Sequence, residues 1–408
     1  MTYLPSLLYV LFIFTIVSCQ RHDGTETKIL QKNTEHVINL NSVRDTLSLE
    51  LDNWTRNISL RSLDKQEAAL VDFGKVVYAM VDSEYIFTVE QGKPIKVFSA
   101  SGAFDQVIGS SGKGPGEYLY PRKLVYNSRA KMLAVQTFNS FDPVPVYSLS
   151  SGHDVYTHPS SAKRAVRDIN LSDDGQLELL ESTIGGDTSE YWIESIDLDS
   201  KKVHALKIGS SIMNMGHPFL LKNDRNTIVH IPQSDTIFTV NSEMEITPFW
   251  LYDKGLQKYS AEKYISVKGD PDKETAYISG LRDYSIQSIT PSLITMEMLR
   301  YGGGSVSAEG ELFMYVEFSK VFHDRENNRS FHIRDYTVEL PGGLKLAFDD
   351  NRFWSANGYF VKVFDAITLY DQIEEIAFSN RPDKTEAGEL LKTIDIEDNV
   401  YILSGQWN

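Results

Sequence analysis

The sequence predicts an all-β fold: a six-bladed β-propeller with a partly helical insertion between blades four and five. Three observations carry this. At six places an apolar alternating run, a short polar turn and a second such run follow one another, the pattern of an antiparallel hairpin. With one residue taken per turn (82, 128, 174, 224, 309 and 350), the steps are 46, 46, 50, 85 and 41 residues, one period with a single long interval. A third apolar run follows most hairpins, and roughly 40–50 residues holding about four strands is the period of a propeller blade. A chain of 408 residues also exceeds what one packed core usually holds, whereas stacked blades add a core at every interface.

Residues 1–19 read as a lipoprotein signal peptide. Leu7 to Val17 is an apolar run of 11 residues. As a helix it would span roughly 17 Å against a bilayer core of about 30 Å, too short for a membrane span. Ile16-Val17-Ser18-Cys19 closes it as a lipobox, with Cys19 the residue that takes the lipid, although Met1 to Ser6 carries no Lys or Arg. Cys19 is the one cysteine, so its acylation leaves no thiol for disulfides, nucleophilic catalysis or metal binding. Two or more acyl chains would hold the protein stably at a membrane. Residues 20–50 are polar and mixed in charge, a tether followed by a strand leading into the propeller of residues 51–408.

The hairpins follow in order. The first is Val76–Val81 and Tyr85–Val89 about Asp82-Ser83; the second is Leu124–Tyr126 and Met132–Val135 about Ser128-Arg129. The third is Ile169–Leu171 and Leu177–Leu180 about Asp173-Asp174-Gly175; the fourth is Phe219–Leu221 and Ile228–Ile231 about Asp224-Arg225. The fifth is Ser305–Ser307 and Leu312–Val316 about Ala308-Glu309-Gly310; the sixth is Leu344–Phe348 and Phe353–Ser355 about Asp349-Asp350-Asn351. A sandwich would not give six similar hairpins, and an open solenoid needs polar capping repeats that the chain lacks.

Between blades one and two, Gly109-Ser-Ser-Gly112-Lys-Gly114-Pro115-Gly116-Glu117-Tyr118 is too rich in glycine and proline for a helix or regular strand. With the preceding Phe98-Ser-Ala-Ser-Gly102-Ala-Phe104, it resembles the strand, turn and GxGPGE[FY] loop of six-bladed β-propeller lipoproteins of Bacteroidetes, relatives of NHL-repeat propellers. Asp235-Thr-Ile-Phe238 through Phe249–Gly255 is similar to that family's DTIY strand and the segment after it. Glu397–Leu403 resembles its closing strand, with Val400 where proline is usual. The resemblance implies a propeller fold and an envelope location, and no single activity.

The long step places an insertion at about 253–300. Ser260 is a suitable N-cap for one short helix, and Pro271 to Gly280 reads as a second. A connection between blades crosses a face of the disc, so Tyr264, Tyr277, Arg282 and Tyr284 are candidates for an aromatic and cationic lid. The blander expectation is that they glue the insertion to the disc. Lys113, Glu117 and Arg122 are the charged residues at the glycine loop with reach to a ligand.

No enzymatic signature stands out. The glycine loop lacks P-loop and GxGxxG spacing, and no HExxH, EF-hand loop or GxSxG elbow occurs. His217 and His230 lie near fourth-blade strands, where core histidines are commoner than ligands. A net charge of −16 disfavours nucleic acid as a partner. The expected function is therefore a non-catalytic ligand- or protein-binding module, lipid-anchored on the periplasmic side or outer-membrane surface of the envelope. It would need no cofactor, and its ligand would be a glycan, a peptide or another envelope protein. The alternative, drawn from the wider NHL-like group, is a lyase or lactonase with a divalent metal in the propeller channel.

Overall fold

A computed structural model describes residues 37–408 apart from 42, 44–45, 115, 160, 162, 184–187, 212–217, 224–225, 256–258, 307–311 and 350–351. Cys19, His217, Pro115 and the turn residues Asp224 and Asp350 therefore lie outside the described residues. Three N-terminal strands come first: β1 (Val37–Asn39), β2 (Thr46–Glu50) and β3 (Thr55–Ser62). Blade one is β4 (Val76–Val81), β5 (Tyr85–Glu90), β6 (Ile95–Ser99) and β7 (Phe104–Ile108). A small parallel pair, β8 (Ser110–Ser111) and β9 (Glu117–Tyr118), folds the glycine loop back on itself.

Blade two is β10 (Pro121–Asn127), β11 (Met132–Thr137), β12 (Val144–Ser148) and β13 (Asp154–His158). Blade three is β14 (Arg164–Leu171), β15 (Gln176–Thr183), β16 (Ser189–Asp197) and β17 (Val203–Ser211). Blade four is β18 (Phe219–Asn223), β19 (Asn226–His230), β20 (Thr236–Val240) and β21 (Ile246–Asp253). Blade five is β22 (Arg282–Ile289), β23 (Leu293–Val306), β24 (Leu312–Asp324) and β25 (Arg329–Glu339), with β26 (Lys345–Phe348) paired to β25. Blade six is β27 (Phe353–Ala356), β28 (Tyr359–Phe364) and β29 (Tyr401–Trp407), completed by β3.

The N-terminal strands run along three successive blades. β1 lies parallel to β21 on blade four, β2 parallel to β25 on blade five, and β3 antiparallel to β29 as the fourth strand of blade six. The first strand of each blade touches the first strand of the next around the ring, so β4, β10, β14, β18, β22 and β27 are innermost. Six clusters of apolar side chains lie one at each interface between neighbouring blades, and a small seventh holds the insertion. The core is thus distributed around the ring with no single centre, as repeat packing requires.

The structure corrects the sequence reading in the last two blades. The expected insertion of 253–300 takes in β22 and the start of β23, so the true insertion is 254–281. Its helices are α1 (Ala261–Val267), capped by the Ser260 hydroxyl accepting from the Lys263 amide, and α2 (Pro271–Ser279), capped by Asp270 and ended by Gly280. The predicted fifth hairpin is the second of its blade, β23–β24. The predicted sixth hairpin does not form: Lys345–Phe348 pairs with β25 of blade five, and Phe353–Ala356 pairs with β28.

Two further helices lie between β28 and β29, α3 (Ala366–Ala377) and α4 (Lys384–Leu391), in a stretch to which the sequence reading gave no element. Ala366, Leu369, Ile373 and Ile376 form the buried stripe of α3 and join the cluster between blades five and six. Among the described residues no helix is long and apolar enough to cross a membrane.

Candidate functional site

The six innermost strands surround a cavity of about 860 Å³, to which all six contribute side chains. That volume lies within the roughly 300–1,000 Å³ of typical small-molecule pockets. Strands at the axis of a propeller have one edge without a partner strand, and polar side chains on them can line the central cavity. Ser285, Gln287 and Ser288 on β22, Asn170 on β14 and Ser355 on β27 line it here.

Most charges on the cavity wall are already committed to one another. Lys123 Nζ donates to Asp168 Oδ1 at 2.6 Å, and the other Asp168 oxygen accepts the Leu220 amide at 2.7 Å, so one carboxylate ties blades two, three and four. Lys320 pairs with Glu297 at 2.9 Å, and Lys222 contacts Asp173. Asp82 accepts the amides of Glu84 and Tyr85, each at 2.8 Å, and burial holds its pKa above the usual carboxylate range. Burial, reinforced by the charge of Asp168, likewise pushes the Tyr78 phenol well up.

Arg122 is different. It lines the cavity, is exposed, and makes no hydrogen bond or ion pair among the described residues. Nearby Arg167 on β14 has its pKa lowered by burial, and the charge of Arg122 adds to that effect.

Arg122 lies near the start of β10, on the blade that also carries three exposed rings, of which Phe138 lines the cavity with it. Pro121 pairs with Thr137 at the ends of β10 and β11, and the Phe138 amide donates to the Tyr120 carbonyl at 2.8 Å. This fixes Tyr120 and Phe138 next to Arg122. Phe138 is 75% exposed, Tyr120 55% and Phe141 42%. Side chains of that size at such exposure, grouped on one blade, are the informative kind of surface apolar residue. The sequence marked Arg122 but not the rings; their signal was a pair of aromatic residues in the Phe138–Asp142 connection between strands.

The other residues marked in the sequence are placed as follows. Tyr264 and Tyr277 pack with Tyr259 in a three-ring cluster, centroids 6.2–6.4 Å apart, that joins α1, α2 and β23. The Tyr277 hydroxyl donates to the Ser260 carbonyl at 3.0 Å and accepts its amide at 2.7 Å. Arg282 donates to the carbonyls of Ser279 and Leu281, and Tyr284 is buried against blade four.

Arg282 and Tyr284 border a separate cavity of about 490 Å³ with Arg300 and His332, apart from Tyr264 and Tyr277. Glu117 folds the glycine loop, accepting the Gly114 amide at 2.7 Å and the Ser110 hydroxyl at 3.4 Å. Lys113 is exposed on that loop.

Gly109 has φ +67°, and a Cβ there would lie 2.4 Å from Tyr118 Cε1 and 2.8 Å from the Tyr147 hydroxyl. Tyr118 in turn donates to the Ile108 carbonyl and accepts the Ile95 amide, and Tyr147 donates to the Gly116 carbonyl at 2.6 Å. The loop is thus a locked corner joining blades one and two. His230 is fully buried, stacked on Phe219 with its Nε2 2.9 Å from the Ser234 carbonyl, a core histidine. Among the described residues, one group of side chains is spaced to hold a metal: His158, Glu181 and Glu194, which do not line the central cavity.

A family model covers residues 35–404, the propeller together with its N-terminal strands. The chain belongs to the family described as Domain of unknown function (DUF4934). No curated protein matches this DUF4934 chain significantly. Among solved structures it is similar to a Bacteroides fragilis protein named as exported. The identity is 18% and the TM-score 0.59, over 91% of this chain and 99% of that one, a likeness of fold. A Staphylococcus aureus virginiamycin B lyase matches at 11% identity and TM-score 0.38, over 68% of this chain and 87% of that one. An auxiliary nutrient binding protein from Bacteroides thetaiotaomicron matches at 9% identity and TM-score 0.32, over 67% of this chain and 76% of that one. At those scores the last two bear on neither the fold nor the function of this DUF4934 member.

Proposed function

We propose that the protein is a lipid-anchored envelope propeller that binds a ligand or partner at its central cavity without transforming it. The observation that carries this is one stretch of the cavity wall: an exposed Arg122 with no partner among the described residues, set beside Phe138 and Tyr120 at an 860 Å³ cavity. An apolar platform with one unpaired guanidinium suits a ligand that combines a ring or apolar face with an anionic or hydrogen-bond-accepting group. The remaining cavity charges support the walls, since each acidic group on them is held by a lysine or by backbone amides. Export and anchoring rest on the apolar run ending at Ser18-Cys19, and the Bacteroides fragilis relative named as exported agrees with that placement.

The test is a thermal-shift screen of wild type, Arg122→Ala and Phe138→Ala against neutral and acidic oligosaccharides and short peptides. A ligand at a hundred times its Kd adds about 2.7 kcal/mol, roughly 3–4 °C for a chain of this length. The expected result is one ligand class that shifts wild type and neither variant. A shift of equal size in all three proteins would place binding elsewhere and end the proposal. Anchoring is checked separately, by radiolabelled fatty acid entering wild type but not Cys19→Ala.

A further inference from the structure

We propose that His158, Glu181 and Glu194 form a binding site for a divalent transition-metal cation between blades two and three, distinct from the central cavity. His158 ends β13, the outermost strand of blade two, while Glu181 and Glu194 lie on β15 and β16 of blade three. The β15–β16 register sets Glu181 opposite Trp192 and Leu179 opposite Glu194, so both carboxylates stand on the same face of the sheet. One ligand atom from each of the three residues lies within 4.8 Å of the others. His158 Nε2 is 3.7 Å from Glu181 Oε1, near the roughly 3.4 Å between two ligands of a tetrahedral zinc ion with bonds of about 2.1 Å.

The imidazole gives the second indication. The His158 side chain is only 12% exposed, its Nδ1 is buried without a hydrogen-bond partner, and its Nε2 has just the 3.7 Å approach to Glu181. Buried polar atoms are nearly always hydrogen-bonded, and the unpartnered Nδ1 belongs to the same ring whose Nε2 faces Glu181.

Arg164 does not fill the site. Its Nη1 donates to Glu181 Oε2 at 3.2 Å and to Glu194 Oε1 at 2.7 Å, which leaves the other oxygen of each carboxylate for an ion. Its guanidinium stacks on Trp192 with Cζ 4.4 Å from the ring centroid, so it is anchored to one side. The two carboxylates outnumber the single guanidinium, and an imidazole ligates a metal in its neutral form, so the bound arrangement offers a cation net negative charge. One nitrogen and two oxygen donors, with no thiolate, suit Zn²⁺ and, more weakly, Mn²⁺; an all-oxygen set would be expected for Ca²⁺ or Mg²⁺.

The test uses tag-free full-length protein stripped with chelator and titrated calorimetrically with Zn²⁺, Mn²⁺ and Ca²⁺. Expected are one equivalent of Zn²⁺, weaker Mn²⁺, no Ca²⁺, and a rise in melting temperature that chelator reverses. His158→Ala and Glu194→Gln should each weaken Zn²⁺ at least about tenfold. Both should fold normally without metal, because neither removes an apolar core side chain. Arg164→Met, which removes the neighbouring positive charge, should tighten Zn²⁺. Absence of stoichiometric Zn²⁺ in wild type overturns the proposal, and so does Zn²⁺ binding left unchanged by both ligand variants.

Discussion

Replacing Asp168 by alanine removes a carboxylate that three innermost strands share. Its Oδ1 accepts Lys123 Nζ at 2.6 Å and the Ile169 amide at 2.9 Å, and its Oδ2 accepts the Leu220 amide at 2.7 Å. Asp168 itself is buried, whereas the Lys123 side chain is 29% exposed and regains some water when its partner goes. Breaking a buried pair from one side costs about 3–5 kcal/mol, so the partial exposure argues for the lower end, about 3 kcal/mol.

At roughly 2.1 cal/mol/K per residue, a propeller of about 370 residues unfolds with an entropy near 0.8 kcal/mol/K, and 3 kcal/mol lowers Tm by about 4 °C. Circular dichroism melts of Asp168→Ala, Lys123→Met and the double variant provide the assay. Lys123→Met should cost less, because Asp168 keeps two amide donors. The double variant should cost less than the two singles together, since the second change no longer strands a charge. Additive losses, or a Tm for Asp168→Ala within a degree of wild type, would refute the view that these cavity charges act as ties between blades.

Four further outcomes follow from the geometry. His323 is buried, and burial pushes its pKa down to about 4, with Arg325 acting in the same direction and Asp324 against it. Below about 6.5 the unfolded chain binds a proton that the folded one refuses, so stability present above 6.5 drains away as pH falls towards 4. The full loss is about 3 kcal/mol, with about 2 kcal/mol gone by pH 5, and urea titrations at pH 7.5 and 5 should show His323→Gln losing less than wild type. Gly109→Ala meets both a positive φ and a 2.4 Å clash and should cost about 2–4 kcal/mol by thermal melt. Gly175→Ala has φ +78° but open space, and should cost only about 1 kcal/mol in the same assay. Tyr277→Phe removes both hydrogen bonds to Ser260, so limited proteolysis should cut within 254–281 faster while the global Tm hardly moves.

The first four blades were legible because their innermost strands keep an apolar run beside a turn residue with a fixed job. Gly175 is one case, taking the left-handed conformation in the β14–β15 turn. Blade five was misread for a physical reason. Its innermost strand, Arg282–Ile289, reads Arg-Asp-Tyr-Ser-Ile-Gln-Ser-Ile, because Ser285, Gln287 and Ser288 line the central cavity and break the apolar run. The eye therefore passes to the next hairpin, whose strands of 14 and 13 residues are more apolar. Helix α3 was readable from Asp365 and the spacing of Ala366, Leu369, Ile373 and Ile376, but a strand period hides a helical one. The His158, Glu181 and Glu194 group could not be seen at all, since three strands of two blades bring it together.

Ring closure joins the two ends of the propeller sequence. β29 has β28 on one side and β3 on the other, with Leu403 opposite Leu60, so blade six lacks its outer strand until the two ends of the sequence meet. Pairing over so long a separation forms late, because the loop must close before its contacts repay the entropy. The strands before β3 contribute differently. β1 and β2 cover the edges of blades four and five and bury Ile38, Leu40 and Leu49, each worth about 1.5–3 kcal/mol, but the ring is complete without them. A chain beginning at residue 51 should therefore remain a cooperative monomer with a Tm several degrees lower. One beginning at residue 63 leaves β29 as a long apolar edge and should associate or melt without a sharp transition. Size-exclusion chromatography and calorimetry separate these outcomes. A monomeric, sharply melting chain from residue 63 would show that the ring does not depend on the strand that closes it.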